Sequence, residues 1–132
     1  MAENRPIPGM VVADCEQSDL VGAVVYPVSE SKVSTCDPLT NGKMGAIGVI
    51  VSKPNSTRAL IKKYGRVDNA RDKFIGHTGR MAYIDIDGQM TPGPPKTGVP
   101  GTRLFARAIG VITGDHALEL NISPDMIRYS EE

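Results

Sequence analysis

The chain contains the pentapeptide Ala-Ile-Gly-Val-Ile twice, at residues 46–50 and again at 108–112. The two matches extend upstream, where Gly22-Ala-Val-Val-Tyr26 aligns with Gly79-Arg-Met-Ala-Tyr83. A duplicated unit has an apolar face that it cannot bury alone, so two copies must pack on each other. The repeat therefore predicts one body built from two related halves.

The alignment of the two copies continues through the loops. Val33 aligns with Met90, the loop that follows is five residues longer in the second copy, and Ala59-Leu60 aligns with Ala117-Leu118 after the pentapeptides. Each copy thus contains a hairpin, a Pro/Gly loop and a further pair of apolar segments. This order is typical of a scaffold, and nothing in the repeat resembles a catalytic constellation.

Composition narrows the fold class. Aromatic residues make up only 5% of the chain and Trp is absent, so the core must consist of Val, Ile, Leu, Met and Ala. Fourteen Gly and ten Pro favour many short strands over long helices. We expect a mostly-β fold, a small single-domain β-barrel or sandwich built from two related β-units, with an extended N-terminal arm.

The repeat also suggests how the chain is organised. Pro6 and Pro8 exclude helix near the start and favour an extended path there. The expected segments are an arm at 1–9 and a single β-domain at 10–132, with repeat one at about 20–64, a linker at 65–78, repeat two at about 79–122 and a C-terminal tail at 123–132.

Local patterns predict several elements. Asp87-Gly88 is a strong hairpin signal because Gly tolerates positive φ, and Glu30-Ser31 marks the matching turn in the first copy. Residues 56–64 fit either a helix capped by Ser56 or a strand. The repeat favours the strand. Ser123-Pro124-Asp125 has the residue order of a short helix start.

Charge and hydropathy argue against two classes of partner. Fifteen basic and fifteen acidic residues cancel, so the chain has no general attraction for nucleic acid or anionic membranes. The longest apolar run, 44–51, is far shorter than the ~18 residues of a spanning helix. The first nine residues contain no apolar stretch typical of a signal peptide. We expect neither a nucleic-acid partner nor a membrane partner.

No pattern in the chain predicts catalysis, a cofactor or a metal. Asp85-Ile-Asp87-Gly88 resembles a calcium loop superficially but lacks the further oxygen ligands and closing Glu, so a plain hairpin turn is expected. Residues 76–79 lack the Lys-Ser/Thr pair of a phosphate loop. Cys15 and Cys36 are expected to be reduced and packed as small apolar residues, although the sequence leaves a disulfide open.

A resemblance to a known family adds to this interpretation. The succession Gly-x-x-x-Tyr-x-x-x-Asp-Gly-x-x-Thr, a Pro/Gly loop, Arg-Ala-Ile-Gly-Val-Ile and Ala-Leu-Glu-Leu resembles the small decoration, or cement, proteins of tailed-bacteriophage capsids. In this chain the pattern consists of Gly79, Tyr83, Asp87-Gly88, Thr91, 107–112 and 117–120, with a diluted copy at 22–50.

The resemblance implies a structural role in the virion. Such proteins assemble on the outer capsid surface and stabilise contacts between major capsid protein subunits. The implied partners are the major capsid protein and further copies of the chain, with a homotrimer favoured over a homodimer. Alternatives are another viral structural β-module, from a tail or baseplate, or a small cellular ligand-binding β-barrel.

Expected exposure suggests which residues contact the capsid. The arm is the first candidate. A chain terminus becomes ordered only where something holds it, and a partner on the capsid surface can do so. The Pro-rich loop at 92–101 is the second, because proline stiffens it before binding. The linker is the third. The candidate contact residues are Arg5, Pro6, Ile7, Pro8, Pro94, Pro95, Val99, Pro100, Arg71, Lys73 and Phe74.

Overall fold

The computed structural model describes residues 9–68 and 74–132. Five short strands form a first antiparallel sheet, with the spatial order β1-β5-β4-β2-β3. Their bounds are β1 Met10–Asp14, β2 Val24–Pro27, β3 Val33–Thr35, β4 Gly48–Asn55 and β5 Arg58–Lys62.

A second antiparallel sheet has the order β6-β11-β10-β7-β8. Two further strands, β9 and β12, pair with each other outside this sheet. The bounds are β6 Gly65–Val67, β7 Met81–Ile84, β8 Met90–Pro92, β9 Arg103–Ala106, β10 Ala108–Gly114, β11 Ala117–Leu120 and β12 Ile127–Ser130. Short 3-10 helices span Asn41–Lys43 and Ile86–Gly88.

The two sheets have the same topology. If β9 is set aside, the strands of 10–62 (the first unit) and those of 65–120 (the second unit) follow one another in the same spatial order. In both units the first strand pairs with the last, as β1 pairs with β5 and β6 with β11. Each unit therefore begins with a strand before its hairpin, and the expected linker, 65–78, starts with β6.

Register fixes the residue correspondence more closely than the sequence alignment does. Ile50 of β4 lies opposite Ile61, and Ile112 of β10 lies opposite Leu118. Because Ile50 and Ile112 are equivalent, Ile61 corresponds to Leu118. The sequence alignment placed Leu60 there instead. The one-residue shift keeps the apolar side chains of β5 and β11 on the same face of their sheets, since side chains alternate along a strand.

The glycine of each pentapeptide allows neighbouring strands to approach closely. A Cβ atom at Gly48 would collide with the carbonyl oxygen of Lys62, and one at Gly110 would collide with that of Glu119. In each unit the contact joins the strand that contains the pentapeptide glycine to the next strand along the chain, β4 to β5 and β10 to β11.

The core consists of two apolar clusters. One packs side chains of the first unit, including Val24 and Val49, with side chains of the second, including Ile84 and Ile112. The other lies within the first unit alone. Side chains alternate between them along β2, where Val24 joins the shared cluster and Val25 joins the cluster of the first unit. The first sheet is therefore covered on both faces.

The mostly-β prediction is confirmed as a small sandwich-like fold of antiparallel sheets, and the sheets are not closed barrels. The two edges of the first sheet meet at one end. There the backbone N–H of Asp14 donates to the carbonyl oxygen of Ser31 over 2.7 Å, and Asp14 forms an isolated bridge with Lys32.

Local predictions had mixed outcomes. Residues 58–62 form β5, so the strand favoured by the repeat is confirmed. The hairpin at Asp87-Gly88 is confirmed, with φ of 59° and 72° at its two residues. The helix expected after Ser123 is wrong. The Ser123 hydroxyl instead accepts a 3.1 Å hydrogen bond from the Asp125 N–H, which makes a turn, and the chain then pairs as β12 with β9.

Both cysteines are free and buried, as expected. Cys36 lies in the cluster shared by the two units and Cys15 in that of the first unit. Burial raises the pKa of the Cys36 thiol to about 12, although the nearby Arg107 acts in the opposite direction. The neutral thiol thus packs as a small apolar group.

Candidate protein-contact surface

The Pro-rich loop is held by one side chain on the C-terminal strand β12 and by one from the residue directly after that strand. The Tyr129 hydroxyl donates to the carbonyl oxygen of Pro95. The Glu131 carboxylate accepts from the backbone N–H of Thr97 and, over 3.1 Å, from the Thr97 hydroxyl. These contacts join positions 34 residues apart in the chain. They fix the start of the loop to the folded body.

Backbone contacts fix the other end of the loop. The Gly101 N–H donates to the carbonyl oxygen of Glu131 over 2.7 Å, and the Glu131 N–H donates to that of Thr102 over 2.8 Å. The Thr102 hydroxyl then donates to the carbonyl oxygen of Val99 over 2.7 Å. The loop is therefore a closed, preorganised turn and not a free connection.

Between these anchors the loop presents apolar side chains to solvent. Val99 is 61% exposed, and the flanking Pro100 is exposed as well. Pro94 is also exposed, whereas Pro95 is buried. Pro95 therefore supports the loop from within, and the loop can contact a partner through Pro94, Val99 and Pro100.

The structure corrects one expected contact residue in the linker. Phe74 is 1% exposed and lies in the cluster shared by the two units, so its side chain is not available at the surface. The apolar ring gains more from core burial than from exposure in a charged segment. The contact residues Arg71 and Lys73 lie outside the described residues, as do Arg5, Pro6, Ile7 and Pro8 of the arm.

The residue that follows the arm is fixed to the body. The N–H of Lys63 donates to the carbonyl oxygen of Gly9 over 2.6 Å. The ring of Tyr64 lies against Gly9, where an added Cβ atom would be 2.9 Å from it. Gly9 therefore lies at the outer edge of the first sheet, beside β1.

A cavity of about 340 Å³ lies between the two units. The loop before β2 lines one side with Asp19, and the β7–β8 turn lines the other with Asp87. One oxygen of the Asp19 carboxylate accepts a 2.8 Å hydrogen bond from the N–H of Glu16, and the Asp19 carbonyl accepts one from Lys53 over 2.7 Å. These contacts give Asp19 a role in shaping the loop.

A second cavity, of about 530 Å³, is open between the Pro-rich loop and the C-terminal strand. Its walls include Pro94, Lys96 and Tyr129. It belongs to the same surface as the exposed loop tip. A partner that contacts Val99 can thus also place a side chain beside the loop.

The described residues include no group of three or more His, Cys, Asp and Glu side chains placed to hold a metal ion. Asp85, considered above for a calcium loop, accepts a 2.8 Å hydrogen bond from the N–H of Ile86 and so caps the turn. No helix in the described ranges is long and apolar enough to cross a membrane.

The residues that hold the loop were missed by the sequence analysis. Tyr129 and Glu131 lie in the segment described only as a C-terminal tail, and Thr97 has no local pattern that marks it. Their contacts depend on the pairing of β12 with β9, which no local sequence pattern predicts.

No family model, no curated protein and no solved structure matches this chain.

Proposed function

We propose that the chain is a tailed-bacteriophage capsid decoration, or cement, protein. It binds the outer surface of the head and stabilises contacts between major capsid protein subunits, and it acts by binding and not by catalysis. In this proposal it is made in the host cytoplasm, is located in the virion, and associates with copies of itself as a homotrimer.

The observation that supports the proposal is the Pro-rich loop, which is held by hydrogen bonds to Tyr129 and Glu131 and has an exposed apolar tip. An apolar side chain that is 61% exposed on a stiff loop has no role within the chain's own core. A partner that covers Val99 gains part of the roughly 1.5–3 kcal/mol that complete burial of such a side chain contributes. Because the loop is already held by Tyr129 and Glu131, little conformational entropy is lost on binding.

The repeated body suits the same role. Two β-units with a shared core make a rigid block that can span two neighbouring coat subunits. Many copies on one shell need only modest individual affinity, since linked contacts multiply. The sequence pattern that resembles decoration proteins, from Gly79 to Leu120, supports the capsid as the partner.

Co-sedimentation with capsids tests the proposal. Purified chain is mixed with expanded heads that lack it, from the phage that encodes it, and the heads are pelleted through a sucrose cushion. The full-length chain should pellet at a fixed ratio to the major capsid protein. Failure to pellet at saturating concentration would contradict the proposal.

A loop variant locates the contact. Val99→Asp places a charge at the exposed tip, and at least a tenfold loss of affinity for the heads is expected because that charge must be desolvated. Leu39→Asp is the matched control, since Leu39 is also an exposed apolar residue in a loop. Equal binding by both variants and the wild type would rule out the loop tip as the contact.

A further inference from the structure

The paired strands β9 and β12 carry two arginines on one face. Arg103 lies directly opposite Ser130, and Arg128 precedes Ser130 by two residues. Because side chains alternate along a strand, all three point to the same side of the two-stranded sheet. Diagonal neighbours on paired strands are about 7–8 Å apart, so long side chains at such positions can reach the same small group.

Both arginines line one small cavity. Its volume is about 270 Å³, and Tyr129 and Ser130 line it as well. The side chains of Arg103 and Arg128 are exposed, so a group that approaches from outside can reach both guanidinium ions.

The two guanidinium groups differ from those of the other arginines in having no partner. Neither Arg103 nor Arg128 forms an ion pair or a side-chain hydrogen bond with any residue of the ranges 9–68 and 74–132. The other arginines of these ranges are each held inside the chain, Arg58 by Asp14, Arg66 by Asp68, Arg80 by His77 and Arg107 by two backbone carbonyls.

We propose that this cavity (the arginine pocket) binds a carboxylate, an Asp or Glu side chain on the surface of the major capsid protein. Guanidinium groups bind carboxylates through paired, charge-assisted hydrogen bonds, and two of them can hold both oxygens. The Ser130 hydroxyl on the same face can donate a further hydrogen bond. This contact rests on the proposed function, because the coat supplies the carboxylate.

The arginine pocket adjoins the loop surface that contacts the coat in the proposed function. Tyr129 and Ser130 line both this pocket and the cavity beside the Pro-rich loop. The Tyr129 hydroxyl also holds the loop through the carbonyl oxygen of Pro95. A partner that fills the cavity beside the loop therefore lies next to the two arginines. Arginine is among the residues enriched in protein interfaces.

The neighbouring charges favour a single carboxylate over a nucleic acid. Glu131 and Glu132 outnumber Lys96 in the adjoining cavity, so a row of phosphates that crossed both cavities would meet like charge. The chain also has no net charge, whereas binding to a phosphate backbone depends on many basic contacts. One acidic side chain avoids this repulsion, because it reaches the arginines alone.

Titration of the free chain with propionate tests the pocket without a capsid. Propionate has the carboxylate of a Glu side chain, and NMR spectra of the isotope-labelled chain report the Nε–H group of each arginine. At constant ionic strength the signals of Arg103 and Arg128 should shift and saturate, whereas that of Arg58, already paired with Asp14, should not. Signals that change only as they do in sodium chloride would overturn the proposal. Binding of a fluorescent single-stranded oligonucleotide through the two arginines would overturn it in favour of a phosphate site.

Charge-removing variants test the contact on expanded heads. In co-sedimentation, Arg103→Gln/Arg128→Gln should lose at least tenfold in affinity and part of the dependence of binding on salt. Arg58→Gln/Arg66→Gln is the matched control, because it removes the same charge from two exposed arginines that are paired within the chain. Equal affinities of the two double variants would overturn the proposal.

The two measurements separate this contact from the proposed function. If the wild type and both double variants pelleted alike, capsid binding would stand and the arginine pocket would have no part in it. If no form pelleted, the coat would be excluded as the source of the carboxylate, whatever the titration with propionate showed.

Discussion

Arg107 donates a 2.8 Å hydrogen bond from Nη1 to the carbonyl oxygen of Met44, which lies 63 residues earlier in the chain. Its Nε donates over 2.7 Å to the carbonyl oxygen of Ser123. One guanidinium thus joins the loop before β4 in the first unit to the start of β10 and to the segment after β11 in the second. Nearby, the N–H of Phe105 donates over 2.9 Å to the carbonyl oxygen of Pro38.

Arg107→Lys should weaken the junction between the units. A single ammonium cannot donate along both directions of the planar guanidinium, so at least one carbonyl loses its partner. Hydrogen bonds to charged groups contribute about 1.5–3 kcal/mol, and we expect a loss of about 2 kcal/mol in the free energy of unfolding. Urea denaturation followed by circular dichroism measures it.

Arg58→Lys is the control for this substitution. Arg58 makes a 3.5 Å ion pair with Asp14 in which both side chains are about half exposed, so the change should stay within about 0.5 kcal/mol. Equal losses for the two variants would contradict the role given to Arg107.

The glycines of the repeated pentapeptide should not tolerate alanine. Gly48→Ala and Gly110→Ala each place a methyl group against a backbone oxygen of the adjacent strand, where no rotation of a side chain can relieve the clash. Strand separation costs cross-strand hydrogen bonds, and we expect about 3 kcal/mol or more per site. Thermal denaturation monitored by circular dichroism measures the melting temperature of each variant relative to the wild type.

Gly42→Ala serves as the reference for these two variants. A Cβ atom at Gly42 meets nothing within 4 Å, so its effect should remain within about 1 kcal/mol. If all three variants were equally stable, the close strand approach at Gly48 and Gly110 would not exist in solution.

The buried thiol of Cys36 should make stability decline in alkali. Burial raises its pKa from the ordinary 9.0 to about 12, so between these values the unfolded chain has released a proton that the folded chain retains. Stability from this group is fully present below pH 9 and falls towards pH 12, by up to about 1.4 kcal/mol per pH unit. Denaturation midpoints at pH 8 and pH 10.5 measure the decline.

Cys36→Ala isolates this contribution from those of other groups that titrate in alkali. The variant lacks the ionisable thiol, so its stability should fall less steeply between the two pH values than that of the wild type. Parallel declines would show that the thiol is not desolvated in the folded state.

Deletion of residues 1–8 should weaken capsid binding and leave the fold intact. The deletion retains Gly9 and its hydrogen bond with Lys63, so the edge of the first sheet keeps its partner. The arm is one of the proposed capsid contacts, so its loss removes contact area and should raise the Kd for expanded heads. If the truncated chain, with an unchanged melting temperature, decorated heads as well as the full-length chain, the arm would have no part in binding.

Much of the strand layout could be predicted from the sequence because the repeat carries long-range information. The strand at 58–62 is ambiguous locally and is assigned by its alignment with 117–120. The equivalence of the first strands of the two units could not be predicted from the sequence. Met10–Asp14 and Gly65–Val67 share little beyond the equivalent Val11 and Val67, and only their pairing with β5 and β11 identifies them.

The sites depend on contacts that no short window contains. Phe74 stands beside charged residues and therefore appears exposed in the sequence, yet its side chain is buried in the cluster shared by the two units. The support of the loop by Tyr129 requires β12 to pair with β9. Met81 is 42% exposed, whereas the aligned Val24 is buried. Only the packing of the units distinguishes them, because alternation along a strand does not say which face meets a neighbour.

Cryo-electron microscopy of DNA-filled particles, purified from the phage that encodes the chain, tests the capsid assignment most directly. We expect density on the outer surface of the head that fits the two-sheet body, with the loop at Val99 against the coat. Its absence from the head, or its presence only on the tail or baseplate, would contradict the assignment to capsid decoration.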